Sequence, residues 1–346
     1  MEKTDIKLLT FEELREVLGE MGEPAFRAGQ IFSWLYKKDV AGFQEMSDLG
    51  RTLRDKLAGR FVVSWPELNR HLRSRDGSEK FLLRLADGRS VETVLIPGPG
   101  RATVCLSTQV GCRFGCRFCA SGRPGFVRNL SPAEIVNQVL FVRRTSGRPV
   151  THAVFMGMGE PLDNFDSVGR AIGLLNDQRA VGLAARRMTV STCGLLPGVE
   201  KLAALGLQVE LSVSLHAASD DLRDRLVPLN RKYPLTKLLP ALQDYHRLTG
   251  RQVTFEYALI KGMNDSLEEA NRLAALARRA RAKVNLIPLS PTSGSTYEAS
   301  PRPTAVAFLR RLEERGVRAT LRRSKGVDIQ AACGQLAGEE SSQGQS

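Results

Sequence analysis

From residue 102 to residue 287 the chain repeats one pattern: a short β-branched and aliphatic run, a glycine-rich or polar loop, then an amphipathic helix. This alternation limits the fold more than any other feature. The runs at 102–108, 152–156, 188–192, 207–215, 252–259 and 282–287 read as strands. The stretches 131–146, 165–178, 235–248 and 266–281 read as helices. Strands joined through helices pair in parallel, because each crossover returns the chain to its starting end. Six such units predict an α/β fold, a partial (βα)6 barrel, with ligand sites at the C-terminal ends of its strands. With 346 residues, 42% of them hydrophobic, the chain can bury one large core and still build a small accessory domain.

The pieces before the alternation read differently. Residues 1–75 are expected to form a helical accessory domain. Phe11, Leu14, Val17 and Leu18 fall on one helical face, as do Phe26, Ile31, Leu35 and Tyr36. Around Trp34, aromatic and basic residues mix, which reads as a core helix with a solvated end rather than a nucleic-acid face. Residues 76–100 contain a hairpin signal, 80–85 and 89–96 around Ala86-Asp87-Gly88. Its second strand puts Glu92 on the same face as Val94 and Ile96. A carboxylate there is costly unless it is paired or its pKa rises. An arginine partner or an edge position is the plain reading. The core is expected to span 101–336, and the small, polar tail at 337–346 to be disordered.

Chemistry concentrates at the strand ends. After the first strand come Cys112, Cys116 and Cys119, a CxxxCxxC spacing. Three close thiolates suit an iron–sulfur cluster with one iron left open. Structural zinc usually needs a fourth ligand, and none is nearby. After the second strand, Met156-Gly157-Met158-Gly159-Glu160-Pro161 allows close backbone approach and offers a carboxylate to an amine. Ser191 ends the third strand, Ser214-Leu215-His216 the fourth, and Asn285 precedes Leu286-Ile287-Pro288 on the last. Any one of these could be a strand cap. Together they ring one mouth. Cys105, Cys193 and Cys333 stand outside the cluster motif. For Cys105 and Cys333 a small core residue remains open, and Cys193 reads as packing.

The charge of +13 favours polyanionic partners, although a merely basic protein remains possible. No known RNA-recognition module is visible, so an RNA site would be built into the fold. Four of the six cysteines lie within 105–119, which is no disulfide framework and suits a reducing, cytoplasmic setting. No apolar run reaches the ~18 residues of a membrane span. The charged amphipathic N-terminus does not read as a secretion signal.

The segments VGCRFGCRFCASG, GFVRNLSPAEIVNQVL, VFMGMGEPL, VSLHA, FEYALIKGMND, KVNLIP and DIQAACGQLAG resemble the RlmN-type adenine-C2 RNA methyltransferases of the radical S-adenosylmethionine (SAM) superfamily. The likeness covers about residues 10 to 338. It implies that Cys112, Cys116 and Cys119 ligate a 4Fe-4S cluster whose open iron holds SAM, two molecules per turnover. Gly159, Glu160, Ser191, Ser214, Leu215, His216 and Asn285 would line the SAM pocket. Cys333 would carry a methyl group, Cys105 would resolve it through a disulfide, and Glu92 would accept a proton. The implied substrates are an adenosine of 23S rRNA and, in many members, the adenosine beside the anticodon of tRNAs. The implied electron donor is a flavodoxin or similar protein, and a monomer is the default. Adenine C2 is electron-poor and cannot attack the SAM methyl group, so a radical route is required. The competing readings are an adenine-C8 methyltransferase conferring antibiotic resistance, a non-catalytic iron–sulfur RNA-binding protein and a structural zinc protein.

Overall fold

A computed structural model describes residues 3–290, 292 and 295–337. Apart from Ala337, the tail expected to be disordered lies outside the described residues. The N-terminal part carries helices α1 (Phe11–Glu20), α2 (Phe26–Tyr36) and α3 (Arg51–Arg60). A capping box starts α1: the Thr10 side chain accepts from Glu13 N, and the Glu13 carboxylate accepts from Thr10 N. In α2, Ile31, Phe32, Leu35 and Tyr36 are buried, as expected of a core helix.

One ten-stranded sheet dominates the molecule, and its strands lie side by side in chain order. β1 (Glu67–Arg73), β2 (Glu79–Arg84) and β3 (Ser90–Gly98) are antiparallel and run into β4 (Arg101–Cys105). From β4 onward all pairing is parallel, through β5 (His152–Phe155), β6 (Met188–Thr192), β7 (Glu210–Ser214), β8 (Thr254–Leu259), β9 (Lys283–Pro288) and β10 (Ala319–Leu321). The six expected strands are therefore present, with a seventh parallel strand added. The crossover helices include α4 (Pro132–Ser146), α5 (Phe165–Asn176), α6 (Leu196–Ala204), α7 (Asp220–Leu226), α8 (Leu235–Thr249), α9 (Leu267–Arg279) and α10 (Arg302–Glu314). Each end of α4 is set locally. Ser131 and Glu134 form a capping box, Pro132 sits in the first turn, and Gly147 closes the helix in the left-handed conformation.

Two differences from the sequence reading have physical causes. The hairpin gains a third strand, β1, which was read as part of the helical domain. That strand is polar and mostly exposed, so no apolar alternation marks it. The hairpin is also not a separate extension, because β3 pairs directly with β4 and continues the main sheet. Among the described residues no helix is long and apolar enough to cross a membrane.

The N-terminal helices are held to the core through buried charge. Lys7 is fully buried, and its Nζ donates to Asn137 Oδ1 on α4 at 2.7 Å and to Ser64 O at 3.0 Å. Arg143, also on α4, pairs with Asp39. Burial lowers the Lys7 pKa from 10.5 to about 8, partly offset by the charges of Asp5 and Asp39. The folded chain therefore gives up this proton at lower pH than the unfolded chain. The cost of burying the charge is fully present below about pH 8 and disappears as the pH rises to about 10.5. Lys7→Met takes the Lys7 donor from Asn137 Oδ1, while Ser64 O keeps Asn137 Nδ2 at 3.1 Å, and should cost about 1 kcal/mol at pH 7. It should also abolish the wild-type gain in stability between pH 8 and 10, read as the difference between the two proteins' denaturation curves.

Candidate active site

The strand ends of the parallel sheet surround a cleft with about 1050 Å³ of empty space. The loop after β4 brings Cys112, Cys116 and Cys119 to its wall. Gly159 and Glu160 follow β5, Ser191 and Cys193 come from the end of β6, and Ser214 and His216 from the end of β7. Glu256 enters from β8, Ile287 and Pro288 from β9, and Arg322 from just beyond β10. Parallel register accounts for the grouping, since Ser214, Glu256 and Asn285 are direct neighbours across β7, β8 and β9.

Gly159 has no substitute here. Its φ is +94°, and a Cβ would lie 2.5 Å from the Cβ of Gln109. The same Gln109 accepts from Glu160 N through Oε1 at 2.9 Å. Glu160 is buried, and its carboxylate accepts from Leu162 N at 3.1 Å and Cys193 N at 2.8 Å. Burial raises its pKa, and those donors hold it down. His216 sits in the left-handed region at φ +58° and turns Nδ1 to accept from Ala258 N at 2.9 Å. Burial and the nearby Arg223 lower its pKa to about 3, so the ring is neutral.

The three loop cysteines fit an iron–sulfur cluster. Burial pushes Cys112 up to about 12 and raises Cys119, so as bare thiols both are protonated. Cationic iron would reverse that preference. Cys116 is lowered, first by a hydrogen bond from the Cys193 thiol. Among the described residues no three His, Cys, Asp or Glu side chains group closely enough to hold a single metal ion. A four-iron cluster does not need them to, because each cysteine binds a different iron. The cleft also presents one orphan acceptor. Glu256 is buried, Asn285 Nδ2 donates to its Oε1 at 3.0 Å, and its Oε2 has no hydrogen-bond donor among the described residues but pairs with Arg322 Nη1 at 3.8 Å. A polar ligand such as SAM could supply that donor.

Cys333 also reaches the cleft, from near the end of the described chain. Its loop lies against the cysteine motif, with Ala120 N donating to Gly334 O at 2.7 Å and Ser121 Oγ to Leu336 O at 2.6 Å. Cys105 ends β4 behind the cleft wall, buried and free. Burial raises its pKa, and the charge of a Cys333 thiolate raises it further. Glu92 is buried on β3 and does not line the cleft. Its partner is Lys80 on β2, at 2.7 Å, where the sequence suggested an arginine.

Not every expected lining residue reaches the cleft with its side chain. Leu215 packs into the hydrophobic core and is not among the residues that line the cleft. Asn285 stands behind Glu256. Cys193, read as packing, lies on the wall against Cys116. Glu256 and Arg322 were missed. The signal for Glu256 was a lone carboxylate in a buried strand, FEYAL, and Arg322 follows a strand too short to read.

The chain matches the model of the Radical SAM superfamily over residues 106–274 and that of the Ribosomal RNA large subunit methyltransferase N-terminal domain over residues 4–63. It is 48% identical, over 93% of its length and 89% of the relative's, to a Gemmatimonas aurantiaca protein named "Probable dual-specificity RNA methyltransferase RlmN". It is 45% identical to a protein of the same name from Moorella thermoacetica, over 96% of this chain and 97% of the other. A crystal structure of a radical SAM methyltransferase from Sphaerobacter thermophilus superposes with a TM-score of 0.94 at 45% identity, over 97% of this chain and 100% of that one.

Gly159→Ala should destabilise the protein by about 1–3 kcal/mol through overpacking against Gln109. It should also weaken SAM binding at least tenfold, because Glu160 moves with it. Thermal melting and isothermal titration with SAM check both, and wild-type values in both would show that the close approach is not needed.

Proposed function

The chain belongs to the RlmN family of the radical SAM superfamily, and from that membership we propose that it methylates adenine C2 at one adenosine of 23S rRNA near the peptidyl transferase centre and at the adenosine 3′ of the anticodon in tRNAs. It is a SAM-dependent RNA methyltransferase whose cofactors are a 4Fe-4S cluster and SAM. One observation carries the finer reading: Cys333 stands in the same cleft as the three motif cysteines.

When bound, the cluster and SAM supply a methyl group and a one-electron hydrogen abstraction. Cys112, Cys116 and Cys119 would hold three irons. Gly159, Glu160, Ser191, Ser214 and His216 would seat SAM, with Asn285 acting through Glu256. Neutral His216 would add no positive charge to a cleft that holds the cationic SAM. Cys333 sulfur accepts the methyl group. Loss of one hydrogen atom leaves a carbon radical on that sulfur, and the carbon bonds to adenine C2. The C2 proton would then pass to a base, and the electron would return to the cluster held by Cys112, Cys116 and Cys119, left one electron short by the hydrogen abstraction. Glu92 or Cys105 would take the proton, and Cys105 must pass on any proton it takes before it attacks as a thiolate. The Cys105 thiolate attacks the Cys333 sulfur and breaks its bond to carbon. The released carbon takes a proton to complete the methyl group. The resulting Cys105–Cys333 disulfide is reopened by a two-electron reductant. Burial keeps the Cys105 thiol protonated, which disfavours a premature disulfide with the exposed Cys333. The basic surface suits RNA, and an external donor such as flavodoxin would supply electrons.

Anaerobically reconstituted protein, given SAM, reductant and either RNA, should yield 2-methyladenosine by mass spectrometry of the digested RNA. 8-Methyladenosine would refute the C2 assignment, and product in rRNA alone would remove the tRNA substrate. Cys333→Ala should abolish product and keep the brown cluster colour. Cys105→Ala should accumulate protein covalently joined to RNA, and normal turnover in that variant would refute its resolving role.

A further inference from the structure

Cys333 lies on a loop whose only regular structure, among the described residues, is one 3-10 turn at Val327–Ile329. Even so, both flanks of the loop are tied to the antiparallel edge of the sheet. Before the cysteine, Lys80 Nζ on β2 donates to Gln330 O at 3.1 Å. After it, Ala337 N donates to Glu92 Oε2 on β3 at 2.7 Å. Lys80 and Glu92 are themselves joined at 2.7 Å and almost wholly buried. One ion pair thus grips both ends of the segment that carries Cys333. The backbone needs such a grip, because Gln330 is held at φ +53°, an unfavourable region for a residue with a Cβ.

The same pair is fixed in register with Cys105. Lys80 faces Val94 across β2 and β3, and Val94 faces Cys105 across β3 and β4. The pair therefore sits on the two strands that precede and register with β4, which carries the second thiol. The turn between β1 and β2 adds to the hold, with Ser74 Oγ donating to Asp328 Oδ1 at 2.6 Å and Gly326 N to Asp76 Oδ2 at 2.9 Å.

We propose that Lys80 and Glu92 are positioning residues, a single clamp that sets where Cys333 stands between the cysteine motif and Cys105. Lys80 has no chemical step of its own, and Glu92 acts first by holding Ala337. The importance of this placement rests on the reading of Cys333 and Cys105 as the reactive pair, but the clamp itself does not.

The full-length protein would be compared with Lys80→Met, Lys80→Arg, Glu92→Gln and the Lys80→Met/Glu92→Gln double variant. Two properties would be read without cofactors: amide hydrogen exchange along the chain, and closure of the Cys105–Cys333 disulfide by oxidised glutathione. Lys80→Met and Glu92→Gln should each speed exchange in residues 326–337 about tenfold and slow disulfide closure about as much, with exchange in β5–β8 unchanged. Lys80→Arg should restore most of both properties. The double variant should be no worse than the worse single one, because the two residues act as a unit. Unchanged exchange in 326–337 would overturn the proposal. So would an equal rise throughout the sheet, or an effect of Glu92→Gln with none of Lys80→Met, which is the pattern of a proton acceptor alone. Failure of wild-type protein to methylate Cys333 from SAM would instead refute the proposed function and leave the clamp standing.

Discussion

Parallel pairing of seven consecutive strands is the constraint on which the rest depends. When every strand points the same way and neighbours follow in chain order, every strand-to-helix turn emerges at one edge. Residues distant in sequence are then delivered to one place without any long-range signal. The cysteine motif, Gly159-Glu160, Ser191, Ser214-His216 and Glu256 meet for this reason. Register refines the grouping, putting Ser214 beside Glu256 and Glu256 beside Asn285.

A single buried cation ties these loops together. Arg223 on α7 has no exposed surface. It donates to Cys193 O at 2.7 Å, Leu215 O at 3.2 Å and Asn230 Oδ1 at 2.7 Å. It thus joins the turn after β6 to the turn after β7 by satisfying carbonyls that have left the sheet ladder. Burial lowers its pKa, while the neighbouring thiols and Asp220 and Asp224 favour its charge. A cation so placed depresses the His216 pKa and favours a thiolate at Cys116. The same side chain therefore holds the loop backbone and adds to what burial and the Cys193 hydrogen bond do to His216 and Cys116.

Much of the site was legible because its parts are local. The spacing of Cys112, Cys116 and Cys119 is a property of eight consecutive residues. Gly159 announces a close approach, and the structure supplies Gln109 as the atom approached. The expected strands appear within a few residues of their places, because buried parallel strands are continuous apolar runs. Strand β1 was invisible for the opposite reason: as an exposed edge it has no apolar face to show. Glu92 was legible as a buried carboxylate needing a partner, but not which partner. Lys80 is twelve residues away in the chain and meets it only diagonally across two strands.

The sequence by itself determined the βα alternation, the cluster motif and the residues at each strand end, because each depends on neighbours within a turn or a strand. Only the tertiary structure decided what Cys333 and Glu256 face. Cys333 comes within reach of the motif cysteines because the sheet edge and the loop after β4 hold its segment from both sides. Glu256 has one oxygen without a hydrogen-bond donor among the described residues, set toward Arg322 at 3.8 Å, because the register of β8 and β9 gives its other oxygen to Asn285. Both outcomes depend on packing between elements far apart in the chain, and no local pattern encodes them.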